Sequence, residues 1–501
     1  MIEFLLNNEV VQIEPQQADL TVLEYLREHR QLCGTKEGCA SGDCGACTVV
    51  LAESGDHKSN HKMRYQSCNS CITFLGSIHG KQLITVEHLK ENQAKENPAN
   101  ENNALHPVQQ AMVDYHGSQC GFCTPGFVMS LFALYKNSVD GSSAGLSIAE
   151  RKKIAEQYLG GNLCRCTGYK PIIDAAVEST ASPDHDQFSV LESEARQKLA
   201  CIAKSTKIGT ENYYLPKTCE ELGKLIKHLP EARLLGGGTD LALEVTQQLK
   251  PIEQIIYLGN VSELLEINEH KDHYEIGAAV SLSDFDNLVK SDYPDLSHLL
   301  LRFGSRQVRN LGTVGGNIAT ASPIGDLPPV LIALDAEVTL QNASNLRTVK
   351  IDEFFIDYKK TGLGKNEFIR SVLMPKADAE HQLKIYKISK RIDDDISAVC
   401  MAIYIQLDNS DNSIIKSIRI AYGGMAAIPR RATKCENALC GKPLDENTIT
   451  QAQRALALDF QPIDDVRASA GYRMQVAQNL LTRLHLELTE PATLTQVTNY
   501  A

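Results

Sequence analysis

The sequence predicts a multidomain α+β protein, and three observations predict it. Its 501 residues exceed what one hydrophobic core usually organises, which implies two to four domains. Ten of its fifteen cysteines crowd between Cys33 and Cys166. The residue pattern then changes along the chain, from β-rich to helical to alternating strands and helices. Composition is that of a globular protein, 43% hydrophobic and 22% charged. A formal net charge of −12 argues against a nucleic-acid partner, because neutralising phosphates needs clustered Lys and Arg. The start, MIEFLLNNEVVQIEP, lacks a basic segment followed by a long apolar core, and no run approaches the ~20 apolar residues that span a bilayer. A cytoplasmic protein with no membrane association is expected.

Residues 1–90 read as a small β-rich domain. Met1–Leu6 and Val10–Ile13 flank Asn7-Asn8 as a hairpin, and Thr21–His29 is a short helix with Asp19 as its cap. Strands are expected at Thr48–Leu51 and Leu83–Val86. The polar stretch Glu91–Asn103 reads as a linker. Within a second domain, 91–180, His106–Tyr115, Gly126–Tyr135, Ile148–Tyr158 and Ile172–Glu178 show helical periodicity. A polar linker covers 181–210. Strands and helices alternate over 211–378. The last part, 379–501, is expected to form strands at Ala398–Leu407 and Ile414–Tyr422, then helices at Ile449–Leu458 and Gly471–Leu486.

Crowded cysteines in a chain without an export signal point to metal ligation over disulfides. Cys39, Cys44 and Cys47 have the C-x4-C-x2-C spacing of plant-type [2Fe–2S] proteins, with a distant fourth cysteine to complete the set. Gly38, Gly42 and Gly45 allow a tight loop whose N–H groups can reach the sulfurs. Spacing leaves the fourth ligand as Cys68 or Cys71. Zinc is the competing metal, but zinc ribbons usually carry two short two-cysteine knuckles, whereas three cysteines share this loop. Cys120, Cys123, Cys164 and Cys166 lie on turns between expected helices and read as a four-thiolate metal site.

Farther on, Arg233-Leu-Leu-Gly-Gly-Gly-Thr-Asp240 is a short strand running into a glycine-rich turn. It lacks the G-x-G-x-x-G dinucleotide fingerprint. Leu235, Gly236, Gly237, Gly238, Thr239 and Asp240 could cradle a phosphate. Gly312–Asp326 adds Gly315, Gly316, Asn317, Thr320, Ser322 and Asp326, and two such segments favour a phosphate-bearing cofactor. No H-E-x-x-H spacing or Ser/His/Asp arrangement stands out among the fourteen histidines.

The motifs Cys120-Gly-Phe-Cys-Thr-Pro-Gly126 and Gly161-Asn-Leu-Cys-Arg-Cys-Thr-Gly-Tyr169 resemble the helical iron–sulfur domain of molybdenum hydroxylases, the xanthine dehydrogenase family. Gly34–Thr48 is similar to the ferredoxin-like domain of that family, a β-grasp fold. The resemblance implies a [2Fe–2S] cluster at each cysteine set. It selects Cys71, in Asn69-Ser70-Cys71, as the fourth ligand of the first set, leaving Cys68 a bystander and Cys33 a packed thiol. It also implies that Gln119 touches the pterin of a molybdenum cofactor on a partner protein.

Both glycine-rich segments are similar to FAD-binding segments of the same family. The implied fold is a two-part α+β FAD-binding domain of vanillyl-alcohol-oxidase type, followed by a C-terminal α+β domain. By that resemblance Gly236–Asp240 and Gly315–Thr320 hold the diphosphate, and Ser322 and Asp326 contact the adenosine or ribityl parts. The same resemblance implies that Phe303 and Lys387 lie near the flavin ring. Arg391 with Asp393, Asp394 and Asp395 resembles a charged loop beside the flavin in that family, with Asp394 foremost. The resemblance reaches Ala470-Gly-Tyr-Arg473 and stops where full-length members continue into a molybdopterin domain. It therefore implies the electron-transfer and flavin subunit of a split, bacterial-type enzyme, partnered by a molybdopterin-binding large subunit in a heterotetramer of two small and two large chains. The implied reaction is the hydroxylation of hypoxanthine and xanthine to urate, with NAD+ as acceptor. An equivalent subunit acting on an aldehyde or N-heterocycle, and a stand-alone iron–sulfur flavoprotein carrier, are the alternatives.

Overall fold

The run Ile2–Leu6 forms strand β1 and Glu9–Ile13 forms β2, joined by a turn in which Asn7 takes φ 58°. Thr48–Ser54 (β3), Met63–Asn69 (β4) and Gln82–Ile84 (β5) complete a mixed sheet of order β2-β1-β5-β3-β4. Its one parallel pair is β1 with β5. All five residues of β1 are buried because both faces of the sheet are covered. Ile2, Phe4 and Leu6 face Val22, Leu23 and Leu26, whereas Leu5, Val50 and Ile84 share a core with Phe127, Leu131 and Phe132. This is the expected β-grasp arrangement. Its helix is one turn, Val22–Glu24, continued by a wider π-turn at Tyr25–His29. Thr21, and not the expected Asp19, caps it by accepting from Glu24 N. Asp19 is buried and accepts from Ile252 N at 2.7 Å, a partner 233 positions away that no local pattern reveals.

This computed structural model describes residues 1–55, 62–90, 105–138, 145–181, 183, 186–204, 209–343, 345–408 and 414–495. The linker expected at Glu91–Asn103 lies outside them. Beyond it, helices run over Pro107–Asp114, Thr124–Ser138, Ile148–Leu159 and Lys170–Ser179, matching the expected four. The stretch 181–210, read as a linker, carries a 17-residue helix, Gln187–Ala203, capped by Asp186. It is polar on average, but Phe188, Ala195, Leu199 and Ile202 fall on one face and enter the core shared by the helices and the sheet. That stripe is too sparse to dominate the composition.

Chain contacts divide the protein into two units. The first holds Met1–Pro216, Glu231–Asn260 and Gly304–Gly312. Besides the parts above it includes a small parallel sheet of Tyr213–Tyr214 (β6), Arg233–Leu235 (β7) and Ile255–Tyr257 (β8), in order β6-β8-β7. Tyr213, Leu235, Ile255 and Tyr257 pack into the same core as Phe4 and Cys71.

The second unit holds Lys217–Pro230, Val261–Phe303 and Thr313–Ala501. Ile267–Glu269 (β9), His273–Gly277 (β10), Glu337–Gln341 (β11) and Leu346–Lys350 (β12) join a later strand in one sheet. Phe355–Asp357 (β13) and Lys360–Thr361 (β14) make a short hairpin, and Phe368–Pro375 (β15) is the central strand of order β12-β11-β15-β10-β9. An antiparallel sheet of His381–Ile388 (β16), Val399–Leu407 (β17), Ile415–Gly423 (β18) and Arg430–Arg431 (β19) follows. Helices Glu446–Asp459 and Ala470–Thr489 cover it, with Leu456, Ala477 and Leu481 against Val399, Ile403 and Ile420. The guanidinium of Arg473, only 2% exposed, donates to the carbonyls of Ala398 and Gly424.

Candidate metal and cofactor sites

The loop between the π-turn and β3 carries Cys39, Cys44 and Cys47. It is shaped by Gly42 and Gly45, at φ 85° and 68°, conformations that cost other residues free energy. The N–H groups of Ser41 and Cys44 both point at Cys39 Sγ, at 3.4 Å. The returning segment Asn69-Ser70-Cys71 is tied to this loop from the far end of β4. Asn69 Nδ2 donates to Gly42 O at 2.5 Å, and Ser70 Oγ donates to Cys47 O at 2.7 Å. Those bonds bring Cys71 Sγ to 3.3 Å from Cys47 Sγ. Cys68, by contrast, pairs with Val49 in the β3–β4 ladder and is wholly buried in the core. Cys33, expected to be packed, is exposed: it sits on a loop held by its own carbonyl, which accepts from Lys36 Nζ at 2.7 Å.

The second set sits at the starts of two helices. Cys123 directly precedes the helix Thr124–Ser138, and Cys164 and Cys166 lie just before Lys170–Ser179. Helix N-termini favour negative charge, which suits thiolates. Cys120 and Cys166 bring their sulfurs to 3.5 Å. The Cys164 sulfur also accepts from Cys166 N, Thr167 N and Thr167 Oγ1, at 3.4, 3.4 and 3.2 Å. Cys120 and Cys166 are exposed, whereas Cys164 is buried.

Each set thus brings one pair of its sulfurs together. That pair is Cys47/Cys71 at 3.3 Å in the first set and Cys120/Cys166 at 3.5 Å in the second. Two sulfurs on one tetrahedral metal with bonds of ~2.3 Å lie ~3.7 Å apart, close to the spacings seen. Among the described residues no three His, Cys, Asp or Glu side chains converge to hold a single metal ion. One close pair in each set, with no three ligands among the described residues converging on one point, fits a two-iron cluster better than one zinc.

The flavin candidates fall in both units. In the first unit, β7 leads into Gly236–Asp240. Gly238 takes φ 77°, and a Cβ on Gly237 would stand 1.8 Å from Leu311 O, so packing alone demands that glycine. Thr239 is half-buried and Asp240 exposed. In the second unit, Thr313 caps the helix Val314–Ala319 by accepting from Gly316 N at 3.0 Å. Gly315 N donates to Ala278 O, and Thr320 Oγ1 to Gly316 O. Asn317 Oδ1 is buried and has no hydrogen-bond partner among the described residues. A side-chain amide left incomplete in this way fits a site that a polar cofactor completes.

Asp326 and Lys387 do something the sequence does not reveal: they pair with each other. Lys387 Nζ lies 2.7 Å from Asp326 Oδ2, and the side chains are 3% and 6% exposed. Lys387 also donates to Arg302 O at 3.0 Å, and Ser397 Oγ donates to Asp326 Oδ1 at 2.5 Å. Ser322 Oγ accepts from Ile324 N, and Phe303 is half-buried after the helix Pro294–Leu301. Arg391 is exposed and pairs with Asp395 at 3.3 Å. Burial pushes the Asp395 carboxyl up, but the Arg391 N–H and guanidinium outweigh it and hold it below the usual carboxylate range. Asp394 stands beside it at φ 48°. Gln119 is exposed, next to Cys120.

Four family models match in succession. They are a 2Fe-2S iron-sulfur cluster binding domain over residues 4–76 and a [2Fe-2S] binding domain over 85–177. The FAD binding domain in molybdopterin dehydrogenase matches 206–377, and the CO dehydrogenase flavoprotein C-terminal domain 384–488. The chain is 32% identical to the xanthine dehydrogenase of Emericella nidulans, over 97% of its own length and 38% of the relative's. It is 31% identical to xanthine dehydrogenase 1 of Arabidopsis thaliana, over 88% and 36%. The chain therefore spans under two fifths of these relatives. A carbon monoxide dehydrogenase chain from Hydrogenophaga pseudoflava superposes with TM-score 0.52 at 28% identity, covering 54% of this chain and 94% of that one. A quinoline 2-oxidoreductase chain from Pseudomonas putida 86 shares the fold, with TM-score 0.52 at 24% identity, covering 57% and 99%.

Proposed function

The chain belongs to the molybdenum hydroxylase family, as an iron–sulfur/FAD chain of xanthine dehydrogenase type, and from that premise we propose that it is the electron-transfer and flavin subunit of a xanthine dehydrogenase. The observation that carries this reading is the pairing of sulfurs in both cysteine sets, on one chain with the flavin segments. Cys39, Cys44, Cys47 and Cys71 would hold one [2Fe–2S] cluster, and Cys120, Cys123, Cys164 and Cys166 the other. Leu235–Asp240, Gly315, Gly316, Asn317, Thr320, Ser322 and Asp326 would bind FAD, with Phe303, Lys387, Arg391 and Asp394 close to the flavin. When bound, these groups would supply one-electron relay between a molybdenum–pterin partner and FAD, and two-electron reduction of NAD+ by the flavin.

The chain's own residues position and tune those groups. N–H donors at Cys39 and Cys164 favour the charged sulfur and stabilise added negative charge. Buried Cys47 and Cys71 keep water from the first pair, whereas exposed Cys120 and Gln119 put the second set at the surface, where a pterin-bearing partner can reach it. Such a partner would be a molybdopterin-binding large subunit, in a cytoplasmic heterotetramer. Among the described residues no helix is long and apolar enough to cross a membrane. The test is purification of the native complex through this chain, with molybdenum analysis and a xanthine-dependent NAD+ reduction assay. A copurifying molybdoprotein and xanthine activity are expected. Molybdenum without xanthine activity would move the assignment to an aldehyde or N-heterocycle hydroxylase, and a chain that runs alone would refute the subunit reading.

A further inference from the structure

Two consecutive carbonyls of the first cysteine loop are held by two consecutive residues of the second. Leu163 N donates to Cys44 O at 3.0 Å, and Asn162 Nδ2 donates to Gly45 O at 3.0 Å. Leu163 directly precedes Cys164, so one residue and one hydrogen bond separate the main chains of Cys44 and Cys164. The approach is as close as backbone allows: a Cβ on Gly45 would stand 2.3 Å from Gly161 O.

The Asn162 side chain that sets this junction is itself oriented from elsewhere. Its Oδ1 accepts from Ser130 Oγ at 2.6 Å and from Gln307 Nε2 at 2.9 Å. Gln307 Nε2 also reaches Thr48 Oγ1 and Ser130 Oγ, both at 3.3 Å, and Thr48 Oγ1 donates to Gly45 O at 2.6 Å. All four side chains are at most 2% exposed. Gln307 comes from the helix Arg306–Leu311, inside the stretch matched by the FAD-binding family model. Its Oε1 is buried without a partner among the described residues. An apolar side chain of the same size would fill this space without that cost, so packing does not explain an amide here. What the amide does is donate, and what it orients is Asn162.

Resting on the two-cluster reading above, we propose that Gln307 is a positioning residue for electron transfer between the clusters, locking through Asn162 and Thr48 the hydrogen-bonded junction between the two cysteine loops. The flavin-region sequence thereby sets the coupling of two centres whose ligands all come from elsewhere in the chain.

The test compares the intact chain with Gln307→Met, nearly isosteric but unable to donate. Iron content, the magnetic interaction between the two reduced clusters by paramagnetic resonance, and the rate of intercluster electron exchange after flash reduction are measured. The Met variant should keep about four irons per chain. It should show a changed spin–spin splitting and exchange slowed severalfold. Full iron with splitting and rate identical to the parent would overturn the role of Gln307 alone. Zinc in place of iron in the unaltered chain would overturn the functional reading instead. If Gln307→Met fails to hold four irons, Thr48→Val and Thr48→Ser decide: the valine should reproduce the altered splitting and the serine restore it. Equal behaviour of the two would overturn the proposal.

Discussion

The two cysteine sets are built from the same parts, paired sulfurs and N–H donors, but they meet solvent differently. In the first set Cys47 and Cys71 are buried against the β-sheet core, and a seven-residue strand and a tied-down return segment fix them. In the second, Cys120 and Cys166 are exposed, and Phe122 and Leu163 beside them stand 49% and 48% exposed. Burial lowers the local dielectric and keeps water off the sulfurs, while exposure leaves them open to solvent and to a partner. One set is thus embedded in its own fold, and the other is offered at the surface.

The strongest way to break this comparison is to remove one sulfur from each. Cys71→Ala should lose about two of four irons and destabilise the sheet domain, since Cys71 is part of its core. Cys166→Ala should lose about two irons with thermal stability nearly unchanged, read by iron analysis and calorimetry. A chelator should then strip the intact chain in two phases, the second-set iron first.

A control in the other unit separates local from global effects. Lys387→Ala leaves the Asp326 carboxylate buried without its cation, which should cost about 3–5 kcal/mol in a denaturant titration. The resonance signals of both clusters should not change.

A smaller effect is expected at the far end of the helix that Cys123 precedes. Asp186 is buried with Lys136 at 2.7 Å and His106 at 3.1 Å. Burial raises its carboxyl pKa, but the His106 hydrogen bond and the Lys136 charge outweigh it and hold the carboxyl well below the usual range. A depressed folded value means stability that is fully present above the unfolded carboxylate pKa of ~4 and lost as pH falls through the folded value. Asp186→Asn should therefore destabilise the chain by about 2–3 kcal/mol at pH 7 and flatten the acid limb, followed by far-ultraviolet signal in urea. Least of all, Arg391→Ala removes an exposed pair with Asp395 and should cost under ~1 kcal/mol.

Much of this was legible in the sequence where spacing is covalent. Cys39, Cys44 and Cys47 share one loop, so their chemistry follows from their intervals, and the four helices after residue 105 follow from apolar period. What lay hidden depends on distant partners. Cys68 lies within β4 and Cys71 in the turn just after it, a difference the spacing left open. Asn162 and Gln307 are 145 positions apart, and Lys387 and Asp326 are 61 apart. Asn162 stands inside a motif read for its cysteines, and nothing local marks it as the residue that holds the neighbouring loop. The helix Gln187–Ala203 was hidden by polar composition, its four core residues spread over about four turns.

The most direct measurement is metal analysis of the chain as purified, with paramagnetic resonance after reduction. The account predicts about four irons per chain and two distinguishable [2Fe–2S] signals, the one from the exposed set vanishing first under chelation. Zinc at either cysteine set, or a single cluster signal at full iron occupancy, would contradict it.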